Sequence, residues 1–154
     1  MKEIVGKLDA SGMKVAVAVS RFNSFFTEQL VKGAADCFVR HGGRDEDLTL
    51  VRVPGANELP QVAQRLAASG KVDAVVVLGA VIQGATPHAD IINGTVARAL
   101  SKIALGTGVP VVNGIVCASN LEQAIERAGT KQGNKGWDAV AAAIETVNVL
   151  KELD

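Results

Sequence analysis

The stretch KVDAVVVLGAVIQGATPHAD, residues 71–90, decides the fold. Val72 to Leu78 is a short, Val-rich, nearly continuous apolar run, the composition of a strand buried on both faces. Gly79 to His88 then reads as a loop, and a helix follows from about Ala89 to Leu105. A strand buried on both faces that delivers a loop and then a helix is one unit of a parallel sheet covered by helices.

Working outward, the same unit recurs in kind though not in sequence. Lys14 to Val19 reads as a buried strand ending in the polar turn Ser20 to Asn23. Asn23 or Ser24 is placed to cap the next helix, along which Phe26, Leu30, Ala34 and Phe38 recur every fourth residue until His41-Gly42-Gly43 ends it. A strand over Leu48 to Val53 is broken by Pro54-Gly55 and followed by a helix from about Glu58 to Ala68. A fourth strand, Val109 to Val116, precedes a short helix from about Asn120 to Ala128, and a helix over Gly136 to Leu153 closes the chain. The expected architecture is a single domain over 1–154, a three-layer α/β/α sandwich with a four-stranded parallel sheet of the flavodoxin-like kind. Glu3-Ile4-Val5 falls outside the alternation and is expected to form a strand, added either to its own sheet or, the reading adopted here, to a neighbouring subunit's edge.

Composition removes several function classes. Sixteen Lys and Arg balance sixteen Asp and Glu, so no net field draws in nucleic acid or an anionic membrane surface. Aromatic residues are 3% of the chain and Tyr is absent, which argues against a base-stacking surface. The opening MKEIVGKLDASG has no apolar signal stretch and no apolar run approaches a membrane span, so a cytoplasmic protein is expected. Cys37 and Cys117 stand too far apart for a CxxC pattern and are expected to act as small hydrophobes, with no metal site.

In a parallel sheet the chemistry is sought in the loops after each strand. Gly79 to His88 sets two glycines, a Thr and a His before a helix, where backbone N–H groups and the helix N-terminus favour an anion and His88 can move protons near neutral pH. The same residues also describe a turn with a capping Thr and an exposed His. His41, at a helix end, reads as a surface residue. Arg127 to Gly136 gathers three cations and three glycines between two helices, which suits a phosphate cradle as well as a solvated linker, and lacks the Walker spacing. Phe22 is placed either to stack on a flat heterocycle or to staple the next helix, and Glu58 either to bind a polyol or to sit in a helix first turn as an ordinary acid.

Ser20-Arg-Phe-Asn23, Val53-Pro-Gly-Ala56 with Glu58-Leu-Pro60, Gly84-Ala-Thr-Pro-His88, and Glu122 to Lys131 with Gly133-Asn-Lys-Gly136 together resemble the lumazine synthases over essentially the whole chain. That resemblance implies the joining of 5-amino-6-ribitylaminouracil to 3,4-dihydroxy-2-butanone 4-phosphate in riboflavin biosynthesis, with no metal and no organic cofactor. It implies that Phe22 stacks on the pyrimidine, and that Ala56, Asn57, Glu58, Asn113 and the backbone of Ala80, Val81 and Ile82 hold the ring and ribityl chain. Ala85, Thr86, Arg127 and Lys135 would hold the phosphate, and His88 would shuttle protons. Members form pentamers with active sites between subunits, and some build icosahedral shells. The short Gly129 to Gly136 connection resembles the shell-forming members. The chain departs from the family's pattern at Asn57, Ala89, Ile91 and Asn113, where aromatics are usual, and at Gln83, where Arg is usual. Those departures motivate two other readings: an oligomeric shell or scaffold with an altered pocket, and a generic flavin- or nucleotide-binding module.

Overall fold

Six consecutive buried residues, Val15–Ser20, form β1 near the centre of the sheet. The computed structural model describes residues 1–84, 87–129 and 133–154. The other strands are β2 (Leu48–Val53), β3 (Ala74–Ile82) and β4 (Val111–Ala118), in the order β2-β1-β3-β4 with every pairing parallel. The helices are α1 (Ser24–Arg40), α2 (Leu59–Ala68), α3 (His88–Thr107), α4 (Leu121–Arg127) and α5 (Lys135–Leu153). The three-layer, flavodoxin-like expectation therefore holds.

Alternation along the inner strands sorts the core into two halves. Val15, Val17 and Val19 of β1 and Val76 and Leu78 of β3 face α1 and α5, meeting Leu30, Phe38, Val140 and Ile144. Ala18, Val75 and Val77 face α2 and α3, meeting Leu59, Ala63, Val96 and Leu100. The fourfold recurrence Phe26, Leu30, Ala34, Phe38 is the buried stripe of α1.

Two expectations are corrected and a third is narrowed. First, β3 does not stop at Leu78. It runs on to Ile82, pairing with β4 throughout, whereas its pairing with β1 ends at Val19 and Leu78. Gly79 is thus a strand residue; a side chain there would crowd Ser20 Oγ at 2.9 Å. Second, Asn23 makes no side-chain cap on α1; it adopts the left-handed region, φ 61°, and its amide is used elsewhere. Third, Glu3 to Val5 adds no strand to its own sheet. The segment after it instead lies along α5: Asn148 Nδ2 donates to the carbonyls of Lys7 (2.6 Å) and Asp9 (3.0 Å), and Gly6 is so close to the backbone at Glu145 that no side chain fits. Ile4, Val5 and Leu8 remain exposed.

His41 is half-buried rather than a plain surface residue. Its Nδ1 lies 2.7 Å from the carbonyl of Cys37, and its ring meets Trp137 edge-on. Cys37 is buried, as expected, but Cys117 on the edge strand β4 is exposed.

Candidate functional site

The order β2-β1-β3-β4 places a switch point between β1 and β3. From β1 the chain moves to β2 on one side and then crosses to β3 on the other, so the loops after these strands diverge and leave a crevice. A cleft of about 580 Å³ occupies that position. Ser20 and Phe22 line it from the end of β1, Pro54 to Glu58 from the end of β2, Ala80 to Ile82 and Gly84 from β3, and His88, Ala89 and Ile92 from α3.

Local backbone bonds fix these walls. The N–H groups of Arg21 and Phe22 donate to the carbonyls of Val53 (2.8 Å) and Pro54 (3.1 Å), so the β1 turn stays zipped to β2 and Phe22 is held at the rim, 71% exposed. Asn23 Nδ2 donates to the carbonyl of Ala80 at 2.7 Å, closing the turn onto β3. Ala56–Glu58 form a single 3₁₀ turn in which Glu58 Oε2 accepts from the Gly55 N–H at 3.1 Å. That bond fixes the Glu58 carboxylate at the cleft wall.

The four-residue overhang of β3 gives the cleft a backbone edge. In a strand the N–H and C=O of alternate residues point to opposite sides. Gln83 N–H donates to Ala118 of β4, while the Ala80 carbonyl meets Asn23 on the β1 side. Ala80 and Ile82 therefore turn their main-chain groups towards the cleft, and Val81 turns its own towards β4. His88 opens α3 as an exposed residue at the helix N-terminus, where the positive end of the helix dipole favours an anionic ligand.

A second cavity of about 330 Å³ lies beyond β4, lined by Asn113, Arg127, Lys135 and Asp138 among others. Arg127 Nη1 donates to the Cys117 carbonyl at 2.7 Å, which pins the guanidinium along the edge strand. Although Cys117 is exposed as a residue, partial desolvation raises the pKa of its thiol, and the Lys135 and Arg127 charges partly offset this, so both cations act on one spot. Lys135 also begins α5, whose first N–H groups are capped by Asn134.

Within one chain, then, Phe22, Ala56, Asn57, Glu58, Ala80, Val81, Ile82 and His88 come together, whereas Asn113, Arg127 and Lys135 form a separate group. Ala85 and Thr86 lie outside the described residues, as does the middle of the Gly129 to Gly136 connection. Of the positions that depart from the family's pattern, Asn57 and Ala89 line the first cleft and Asn113 the second, while Gln83 and Ile91 are exposed and line neither. Sequence reasoning passed over Asn23 as a joint of the site. The signal was present, because Asn is among the few non-glycine residues that tolerate the left-handed region after a strand.

Two comparisons bear on this arrangement. The family model for 6,7-dimethyl-8-ribityllumazine synthase matches residues 12–151. The chain belongs to the 6,7-dimethyl-8-ribityllumazine synthase family. It is 50% identical over 153 residues to the protein of that name from Chlorobaculum tepidum and 52% to that from Prosthecochloris aestuarii, covering 99% of both chains in each case. It is also 52% identical to the Nitratidesulfovibrio vulgaris lumazine synthase, over 99% of this chain and 98% of the relative. The match spans the residues that line both cavities of this lumazine synthase family member. Among the described residues of this lumazine synthase family member, no helix is long and apolar enough to cross a membrane.

Proposed function

We propose that this chain condenses 5-amino-6-ribitylaminouracil with 3,4-dihydroxy-2-butanone 4-phosphate to give 6,7-dimethyl-8-ribityllumazine in riboflavin biosynthesis, as a cytoplasmic homo-oligomer. The observation that carries the reading is the convergence of Phe22, Glu58 and His88 from three separate strand ends on one cleft at the switch point, in a chain of this family. Phe22 stacks on the pyrimidine, Glu58 and the Ala56 and Asn57 turn hold the ribityl hydroxyls, and the main chain at Ala80 and Ile82 reads the ring edge, with Val81 lining the cleft wall between them. His88 moves protons during imine formation, phosphate elimination and ring closure. Ala85, Thr86, Arg127 and Lys135 take the phosphate, and Asn113 lies against the ring from the other side.

The split of these residues between two cavities favours a site completed across a subunit contact, with the β4-side group of one subunit facing the His88 cleft of the next. Exposed Ile4, Val5 and Leu8, and an edge of β4 that no further strand covers among the described residues, suit such a contact, with the N-terminal segment pairing with a neighbour. The ring of subunits is a pentamer, and the short Gly129 to Gly136 connection favours a shell of pentamers. No metal or organic cofactor is required by the chemistry, because an amine and a ketone react once held together.

A second reading, an oligomeric shell or scaffold with an altered pocket, draws on one observation. Asn57 and Ala89 give the cleft polar and small walls, and Phe22 is the one Phe, Tyr or Trp lining it among the described residues. Mixing the purified protein with the two substrates and following lumazine fluorescence separates the readings. A rate well above the uncatalysed background is expected; an assembled, folded protein no faster than background favours the scaffold.

A further inference from the structure

The carboxamide of Asn134 is used at both ends. Its Oδ1 accepts from the backbone N–H groups of Gly136 (2.8 Å) and Trp137 (3.1 Å), which caps α5. Its Nδ2 donates to the carbonyl of Gln29 in α1, 2.9 Å away. Both helices make room for this: a side chain on Gly33 of α1 would occupy the space of the Asn134 carboxamide, and one on Gly136 of α5 would run into the Leu30 carbonyl. The backbone of Asn134 is held too, through an isolated antiparallel bridge to Ala128.

Capping α5 needs only the oxygen of Asn134. The amide bond to α1 and the notch that admits it do something further: they fix both stems of the connection between α4 and α5 to a rigid helix. The residues next to the bridged pair are Arg127 and Lys135, the cations of the second cavity. Arg127 is anchored at its far end as well, on the Cys117 carbonyl. Long cationic side chains lose rotamer freedom when they engage an anion, and stems fixed beforehand reduce what must be ordered on binding.

We infer that Asn134 is a positioning residue for phosphate recognition, tying Arg127 and Lys135 to α1 so that both address one phosphate monoester. The inference rests on the functional reading above. Asn134→Ser tests it, because a serine still caps the helix but is too short to reach Gln29. The expected result is a KM for the phosphorylated substrate raised at least tenfold, a matching rise in the inhibition constant of inorganic phosphate, and a KM for the ribityl-bearing amine changed less than twofold. Asn134→Thr, whose hydroxyl also caps the helix and is likewise too short to reach Gln29, is expected to give the same selective rise and serves if Asn134→Ser folds poorly. Unchanged phosphate-dependent constants in both folded variants overturn the inference, as does an equal rise in both KM values accompanied by a lowered Tm. A wild-type protein that binds neither inorganic phosphate nor the phosphorylated substrate overturns the functional reading, and this inference with it, before any variant is made.

Discussion

Asn23 donates its side-chain amide to the carbonyl of Ala80 at 2.7 Å, joining the turn after β1 to the overhanging end of β3. Among the described residues it is the one non-glycine position with positive φ. Two costs should therefore separate on substitution. Asn23→Gly loses the hydrogen bond, about 0.5–1.5 kcal/mol, together with some backbone entropy, whereas Asn23→Ala loses the same bond and carries the left-handed penalty of about 1–2 kcal/mol. Urea unfolding is expected to rank wild type above Asn23→Gly above Asn23→Ala, and an alanine variant as stable as the glycine variant would contradict the assignment.

His88 stands at the N-terminus of α3 and lines the cleft. Holding the amine and ketone together contributes on the order of 7–11 kcal/mol, and proton transfer contributes less. Replacement of His88 by Ala is therefore expected to slow turnover roughly 10²-fold while leaving it above the uncatalysed rate. Complete loss of catalysis in a folded His88→Ala protein would assign this residue a larger part.

Ala89 is buried against the cleft, and the resemblance to the family implies Phe or Tyr at that position and Arg at the exposed Gln83. An aromatic pair contributes about 0.5–1.5 kcal/mol beyond its buried area. Combining Ala89→Phe with Gln83→Arg is expected to raise kcat/KM by several-fold. No gain would favour the scaffold reading over a weakened synthase.

Burial, followed by the carboxylates of Asp138 and Asp36, pushes the pKa of the Cys37 thiol up to about 11 from an ordinary value of 9.0. The folded chain therefore keeps a proton that the unfolded chain releases between those values. Stability falls as pH rises through that window, because the unfolded state binds fewer protons there. Denaturant midpoints measured from pH 8 to 10.5 are expected to decline less steeply in Cys37→Ala than in the wild type. Parallel slopes would mean that this thiol does not carry the dependence.

Much of the fold is legible in the sequence because its strands are buried on both faces. Runs such as Val15 to Val19, alternating with helical segments, point to a covered parallel sheet, and the fourfold stripe from Phe26 to Phe38 fixes which side of α1 is covered. What escapes is set by contacts distant in sequence. Gly79 reads as a strand terminator, yet it continues β3 because its missing side chain makes room for Ser20. Asn23 reads as a cap, yet its amide is claimed by Ala80. The cleft follows from the strand order, but its separation from Arg127 and Lys135 does not, since β4 stands between the two groups in space and not in any local pattern.

The overhang of β3 past β1 has a consequence for how such a pocket ages. Main-chain groups at Ala80 and Ile82 survive almost any replacement of the residues that carry them, proline excepted, because every other amino acid brings the same N–H and C=O. A ligand held along that edge, as proposed above, would keep its contacts there while neighbouring side chains such as Asn57 and Ala89 drift. Selection for a new guest molecule can then act on the surrounding walls one substitution at a time, starting from a rail that mutation scarcely touches.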